Sequence, residues 1–69
     1  MNLQEYRRRL GWSQTELARR ARLNPTTVNK AERGDEISGN TAASIAEALS
    51  DALGERIFPG DIEGLKIKV

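Results

Sequence analysis

With neither cysteine nor histidine among its 69 residues, the chain lacks the thiol nucleophile, the commonest general base and the ligands of a thiolate or imidazole metal site. Carboxylates and lysines are the only acid/base groups left, and none is paired in a cleft motif. An enzyme is therefore not expected, nor a metal, a cofactor or a small-molecule substrate. What remains are groups that form hydrogen bonds and carry positive charge, and these are unevenly spread. Residues 1–34 hold eight arginines and lysines against Glu5, Glu16 and Glu32, whereas residues 35–65 hold seven acids against Arg56 alone. Such a division suits a face turned towards a polyanion with the acidic remainder turned away. Ordinary solvated charge gives the same division, and sign alone does not choose.

The groups of interest must be held by short elements whose boundaries are written in the chain. Asn2 to Leu10 reads as a helix with Leu3 and Leu10 on one face, stopped by Gly11. Ser13-Gln14-Thr15-Glu16 has the pattern of a capping box, and Trp12 with Leu17 has the spacing of a hydrophobic staple. A second helix is thus expected from Gln14 to about Ala21. Asn24-Pro25 opens a third, ended by Gly34, and Leu23 with Val28 repeats the staple. The segment from Asp35 to Gly39 reads as an acidic polar loop, with Asn40 as the cap of a fourth helix. There Ala42, Ile45, Ala46, Leu49, Ala52 and Leu53 form one apolar stripe before Gly54. Ile57 and Phe58 are candidates for one more helical turn, broken by Pro59-Gly60. Leu65 to Val69 alternates apolar and polar residues as a half-buried strand does. The expectation is one all-α domain over residues 1–69, compact, of four to five helices, with a possible short C-terminal β-strand. A domain of this size buries only ~60% of its unfolded surface, so its core has little to spare.

Two helices separated by Arg22-Leu23, the second already capped, cannot lie antiparallel. The connection forces a sharp crossing, the geometry of a helix-turn-helix over residues 14–33. Ala18 and Ala21 are small enough for that approach, while Leu17, Leu23, Val28 and Ala31 fill the inner faces. At 100° per residue, with Val28 at the centre of the buried side, Ala31 and Glu32 fall within about 60° of it. Thr26, Lys30 and Arg33 lie near the opposite pole, and Asn29 on the flank. A helix of this size fits the DNA major groove, where threonine, asparagine and lysine reach base edges. The plainer account is a solvated polar face, which any surface helix has.

The stretch Gln14-Thr15-Glu16-Leu17-Ala18-Arg19-Arg20-Ala21, then Leu23-Asn24-Pro25-Thr26-Thr27-Val28, then Glu32-Arg33-Gly34, resembles the Cro and repressor family of phage and bacterial helix-turn-helix regulators. The likeness covers roughly residues 3–54 and implies a lambda-repressor-like fold and sequence-specific binding of double-stranded DNA for transcriptional control. It implies base contacts from Pro25, Thr26, Asn29 and Lys30, the first turn adding apolar contact with a thymine methyl. It also implies a phosphate held by Gln14 at the N-terminus of the second helix. Arg22 and Arg33 flank the third helix as candidate phosphate clamps, with Thr27 and Asn40 beside them. Arg8, Arg9, Arg19 and Arg20 read as a diffuse field. Arg22 departs from the family, which usually has glycine at that left-handed turn; the departure bears on stability more than on identity.

Arg7 points inward from the first helix and Glu32 from the third. An unpaired buried charge costs several kcal/mol, so the two are expected to find each other as a structural ion pair, and family members carry such a pair. Asp35 and Glu36 count against easy DNA binding, because the loop after the third helix is often basic in such repressors. One domain makes too few contacts for tight binding, so a two-fold homodimer is expected, reading half-sites ~34 Å apart. The tail 57–69 is the candidate interface, with Leu65, Ile67 and Val69 on one strand edge; the same tail could instead fold back on its own core or begin a longer protein. The rival function is a protein–protein module, such as an antitoxin or antirepressor that no longer reads DNA. With no apolar run of about 18 residues and no apolar leader after Met1, a soluble cytoplasmic chain is expected.

Overall fold

The structure, a computed structural model, describes residues 1–68. Four α-helices come in order: α1 (Leu3–Leu10), α2 (Gln14–Ala21), α3 (Pro25–Arg33) and α4 (Gly39–Leu53). A two-residue strand β1 (Glu36–Ile37) lies between α3 and α4. A 3₁₀ turn (Pro59–Asp61) and a second short strand β2 (Lys66–Ile67) follow α4.

Local chemistry explains where the helices begin. The Asn2 side chain accepts the Glu5 backbone N–H at 2.9 Å, and the Glu5 carboxylate accepts the Asn2 N–H at 2.8 Å. Asn2 is thus the cap of α1 rather than its first residue. Ser13 caps α2 by accepting the Glu16 N–H at 3.1 Å, but the expected capping box is one-sided. The Glu16 carboxylate turns away from the Ser13 N–H towards the guanidinium groups of Arg19 and Arg20. Two charge-assisted bonds outcompete one neutral donor. Asn24 caps α3 by accepting the Thr26 N–H at 2.8 Å, with Pro25 in the first helical position.

The cap of α4 is Ser38, which accepts the Thr41 N–H at 3.1 Å, and not Asn40, which lies within the first turn. Both are good caps, and the decision falls to Ile37. It is buried at 6% exposure and paired in β1, so the chain is already extended at 37 and turns into the helix directly after it. The segment expected as a polar loop therefore contains a strand.

One core joins all four helices to the tail. Leu17, Val28, Ile45 and Leu49 are fully buried, with Leu3, Tyr6, Ile57 and Ile62 around them. Of the stripe expected on α4, Ala42, Ile45, Ala46 and Leu49 are buried and Leu53 is half-buried. Ala52 is exposed, and Ala48 takes a buried place instead.

After Gly54 the chain does not make the helical turn expected at Ile57 and Phe58. Ile57 is held in extended chain by Ser50, whose hydroxyl accepts the Ile57 N–H at 2.9 Å and donates to the Ala46 carbonyl at 2.7 Å. Pro59 then opens the 3₁₀ turn instead of breaking a helix, its fixed φ suiting a first helical position. The tail returns across the molecule to the start of the chain, where the Glu63 N–H donates to the Met1 carbonyl at 3.1 Å. β2 pairs in parallel with β1, Glu36 opposite Lys66 and Ile37 opposite Ile67. The described part of the tail folds back onto the chain's own core and pairs with β1. Val69, expected on the same strand edge, lies outside the described residues.

Candidate nucleic-acid interface

The α2–α3 crossing is built on small side chains. Ala18 and Ala21 are buried where the helices approach, and Leu23 packs against the core they share with Leu17, Val28 and Ala31. Between the helices, Arg22 takes a left-handed conformation, φ 59° and ψ 44°, and Leu23 N–H closes the end of α2 on the Ala18 carbonyl at 2.8 Å. Arg22 is the one non-glycine residue with positive φ among the described residues. A side chain there costs about 1 kcal/mol relative to glycine, and the buried faces on either side hold the turn despite it.

The residues singled out on α3 divide by face. Pro25, Thr26 and Lys30 are exposed, and Thr27 and Asn29 are half-buried on the flanks. Val28 and Ala31 are buried on the opposite side. No part of the described chain covers the Thr26–Lys30 face. Arg22 is exposed beside it, and Asn40 is exposed in the first turn of α4. Arg33 is exposed as well, but its guanidinium is held by Asp35 at 2.6 Å. Asp35, expected to repel phosphate, is thus partly neutralised by a neighbour two residues away.

Behind this surface, Arg7 and Glu32 form a two-pronged ion pair. The Arg7 Nε lies 2.7 Å from Glu32 Oε2 and Nη2 lies 3.1 Å from Oε1, while Nη1 donates to the Trp12 carbonyl at 3.0 Å. The side chains are 16% and 3% exposed. Gln14 completes the cluster, its amide donating to Glu32 Oε1 at 2.9 Å. The Glu32 carboxylate thereby ties α1, the first residue of α2 and α3 together. Burial pushes the Glu32 carboxyl up, but the hydrogen bonds from Arg7 and Gln14 outweigh it and hold the group below its ordinary value of 4.5.

The Gln14 link was not foreseen. A glutamine at the first position of a helix reads as a group facing outward, and only the position of Glu32 shows what orients it. Two further arginines are committed within the chain. Arg20 lies over the Trp12 ring at 5.0 Å and bonds Glu16, which also holds Arg19. The Glu16 carboxyl is held low by the hydrogen bonds from Arg19 and then Arg20.

Two helices crossing on a left-handed turn, with a buried acid bracing the second, narrow the possible families, and the family comparison decides among them. The family model described as helix-turn-helix matches residues 3–54, from the first residue of α1 to the glycine that ends α4. The chain belongs to that family. This helix-turn-helix family is the Cro and repressor type, whose members are DNA-binding regulators, and the four-helix all-α fold is the one it implies. No curated protein and no solved structure matched the chain. Among the described residues of this helix-turn-helix chain, no helix is long and apolar enough to cross a membrane.

Proposed function

We propose that the chain binds double-stranded DNA in a sequence-specific manner as a two-fold dimer, with α3 in the major groove, and so controls transcription from the cytoplasm. The observation that carries this reading is the uncovered Thr26–Lys30 face of α3, opposite a fully buried Val28. Thr26 and Pro25 suit apolar contact with a thymine methyl, Asn29 a bidentate bond to adenine, and Lys30 a guanine edge. Gln14, Arg22, Thr27, Arg33 and Asn40 frame that face as phosphate contacts. Gln14 comes with its amide already oriented by Glu32, and Arg33 exchanges Asp35 for phosphate. Its cost on binding is therefore higher than that of Arg22.

The dimer is supported by apolar surface on the tail 57–69. Phe58 is 59% exposed and Ile67 37%, and β2 has one edge without a neighbour among the described residues. Removing the tail does not test this, because Ile62 is core. Phe58→Ser, at the more exposed of the two side chains, should keep the fold and weaken self-association in sedimentation.

The decisive experiment selects bound sites from a random duplex pool and then compares Lys30→Ala with the parent. A base reader loses about 1–3 kcal/mol on the selected site and little on random duplex. The reading is withdrawn if no sequence is enriched, or if Lys30→Ala binds the enriched site as well as the parent does.

A further inference from the structure

Most of the chain's positive charge is used internally. Arg7 is taken by Glu32, Arg19 and Arg20 by Glu16, Arg33 by Asp35, and Arg9 lies 3.9 Å from Glu55. Arg56 sits over the Phe58 ring at 5.8 Å. The loop after α3 contributes two acids, Asp35 and Glu36, where a phosphate-facing loop needs cations. Arg33 partly neutralises Asp35, but no cation of the loop itself answers Glu36.

The tail changes that. β2 runs parallel to β1 with Lys66 opposite Glu36, and Lys68 N–H donates to the Ile37 carbonyl at 2.7 Å, which continues the register towards Ser38. Side chains alternate along a strand, and paired residues share a side. Ile37 lies buried on one side with Ile67 next to it, so Glu36, Lys66 and Lys68 project on the other, and all three are exposed. Neither lysine reaches a carboxylate within ion-pair distance among the described residues. Gly64, two residues before β2, has its carbonyl oxygen 3.9 Å from where a Cβ on Gly34 would stand, so the tail passes directly against the end of α3. Ser38, level with Lys68 in this register, caps the N-terminus of α4, whose first turn carries Asn40.

We propose that Lys66 and Lys68 bind the DNA backbone alongside α3, supplying from the C-terminal strand the cations that the α3–α4 loop lacks. This rests on the DNA-binding reading above. The two lysines add backbone attraction without sequence information, since a phosphate contact is the same at every base pair. Glu36 works against them on the same strand face.

The test is the salt dependence of binding to a short duplex of random sequence, using the full chain. Each phosphate neutralised contributes ~0.9 to the slope of log affinity against log salt, so Lys66→Gln with Lys68→Gln should make the slope shallower by about 1.8. The melting temperature should hold, because both side chains are exposed and the backbone pairing is untouched. Lys66→Arg with Lys68→Arg should keep the parent slope. Glu36→Gln should bind several-fold more tightly at low salt, an opposite sign that does not depend on the lysine variants folding. A parent that binds with a steep slope while the glutamine variants match it in slope and affinity overturns this inference alone. A parent with no salt-dependent binding overturns the DNA-binding reading and this inference together.

Discussion

The α2–α3 unit and the tail are held by opposite means. α2 and α3 start and stop on bonds between residues two to five apart: Ser13 with Glu16, Asn24 with Thr26, Leu23 with Ala18. The tail is moored to α4 by Ser50, seven residues before Ile57, and then by bonds that span the chain, from Met1 to Glu63 and from Ile37 to Lys68. The unit that presents the Thr26–Lys30 face is thus specified locally and braced by a core, while the tail is specified only once everything else is in place. A small domain can keep α3 rigid and still vary what the tail adds beside it.

Core truncation should have the largest effect. Leu17 is fully buried at the foot of the α2–α3 crossing, and Leu17→Ala should cost roughly 2–5 kcal/mol in urea unfolding. That is a large fraction of the stability of a domain of this size. Arg7→Ala comes next at about 3 kcal/mol, since it strands the Glu32 carboxylate in a nearly closed site. The sign of its pH dependence separates it from a plain packing loss. In the parent, Glu32 titrates below its ordinary 4.5, so its contribution is full above that value and is lost as pH falls through the folded-state value. In Arg7→Ala the stranded carboxylate is penalised when charged. The gap between variant and parent should therefore narrow as pH falls, beginning above 4.5 where the stranded carboxyl takes up its proton, and a gap independent of pH would mean that Arg7 acts by packing alone.

Ser50→Ala tests the tail's mooring and should cost about 1–2 kcal/mol, because the N–H of buried Ile57 loses its acceptor. If it destabilises as much as Leu17→Ala, the contrast between the two regions fails. Arg22→Gly should have the smallest effect on stability, a gain of less than about 1 kcal/mol from relief of the left-handed turn. It should also make the salt slope of DNA binding shallower by ~0.9. A gain in stability with an unchanged slope would remove Arg22 from the phosphate contacts.

The same contrast explains what was legible in the sequence. Helix ends are governed by near neighbours, so Gly11, Ser13, Asn24, Gly34 and Gly54 could be read as they stand. Helical geometry also put Val28 inside and Thr26 and Lys30 outside. Failures came where two local rules competed or where distance mattered. Glu16 preferred two arginines to the Ser13 N–H, and Ser38 rather than Asn40 caps α4 because Ile37 is anchored in a sheet. Two residues of strand within Asp35–Gly39 are too few to show a period, and nothing in the alternation of the tail names its partner. The Arg33–Asp35 pair and the Gln14–Glu32 bond depend on side-chain directions that spacing alone does not supply.

The parallel pairing of β1 with β2 has a kinetic consequence. Its partners are thirty positions apart in the chain, and closing so long a loop for so few bonds gives little return until the helical core exists to receive it. The strand should therefore dock after the folding barrier is crossed. Substitutions at Ile67 would then speed unfolding and leave the refolding rate alone, whereas those at Leu17 would slow refolding. A newly made molecule would thus have α3 in place before Lys66 and Lys68 arrive beside it.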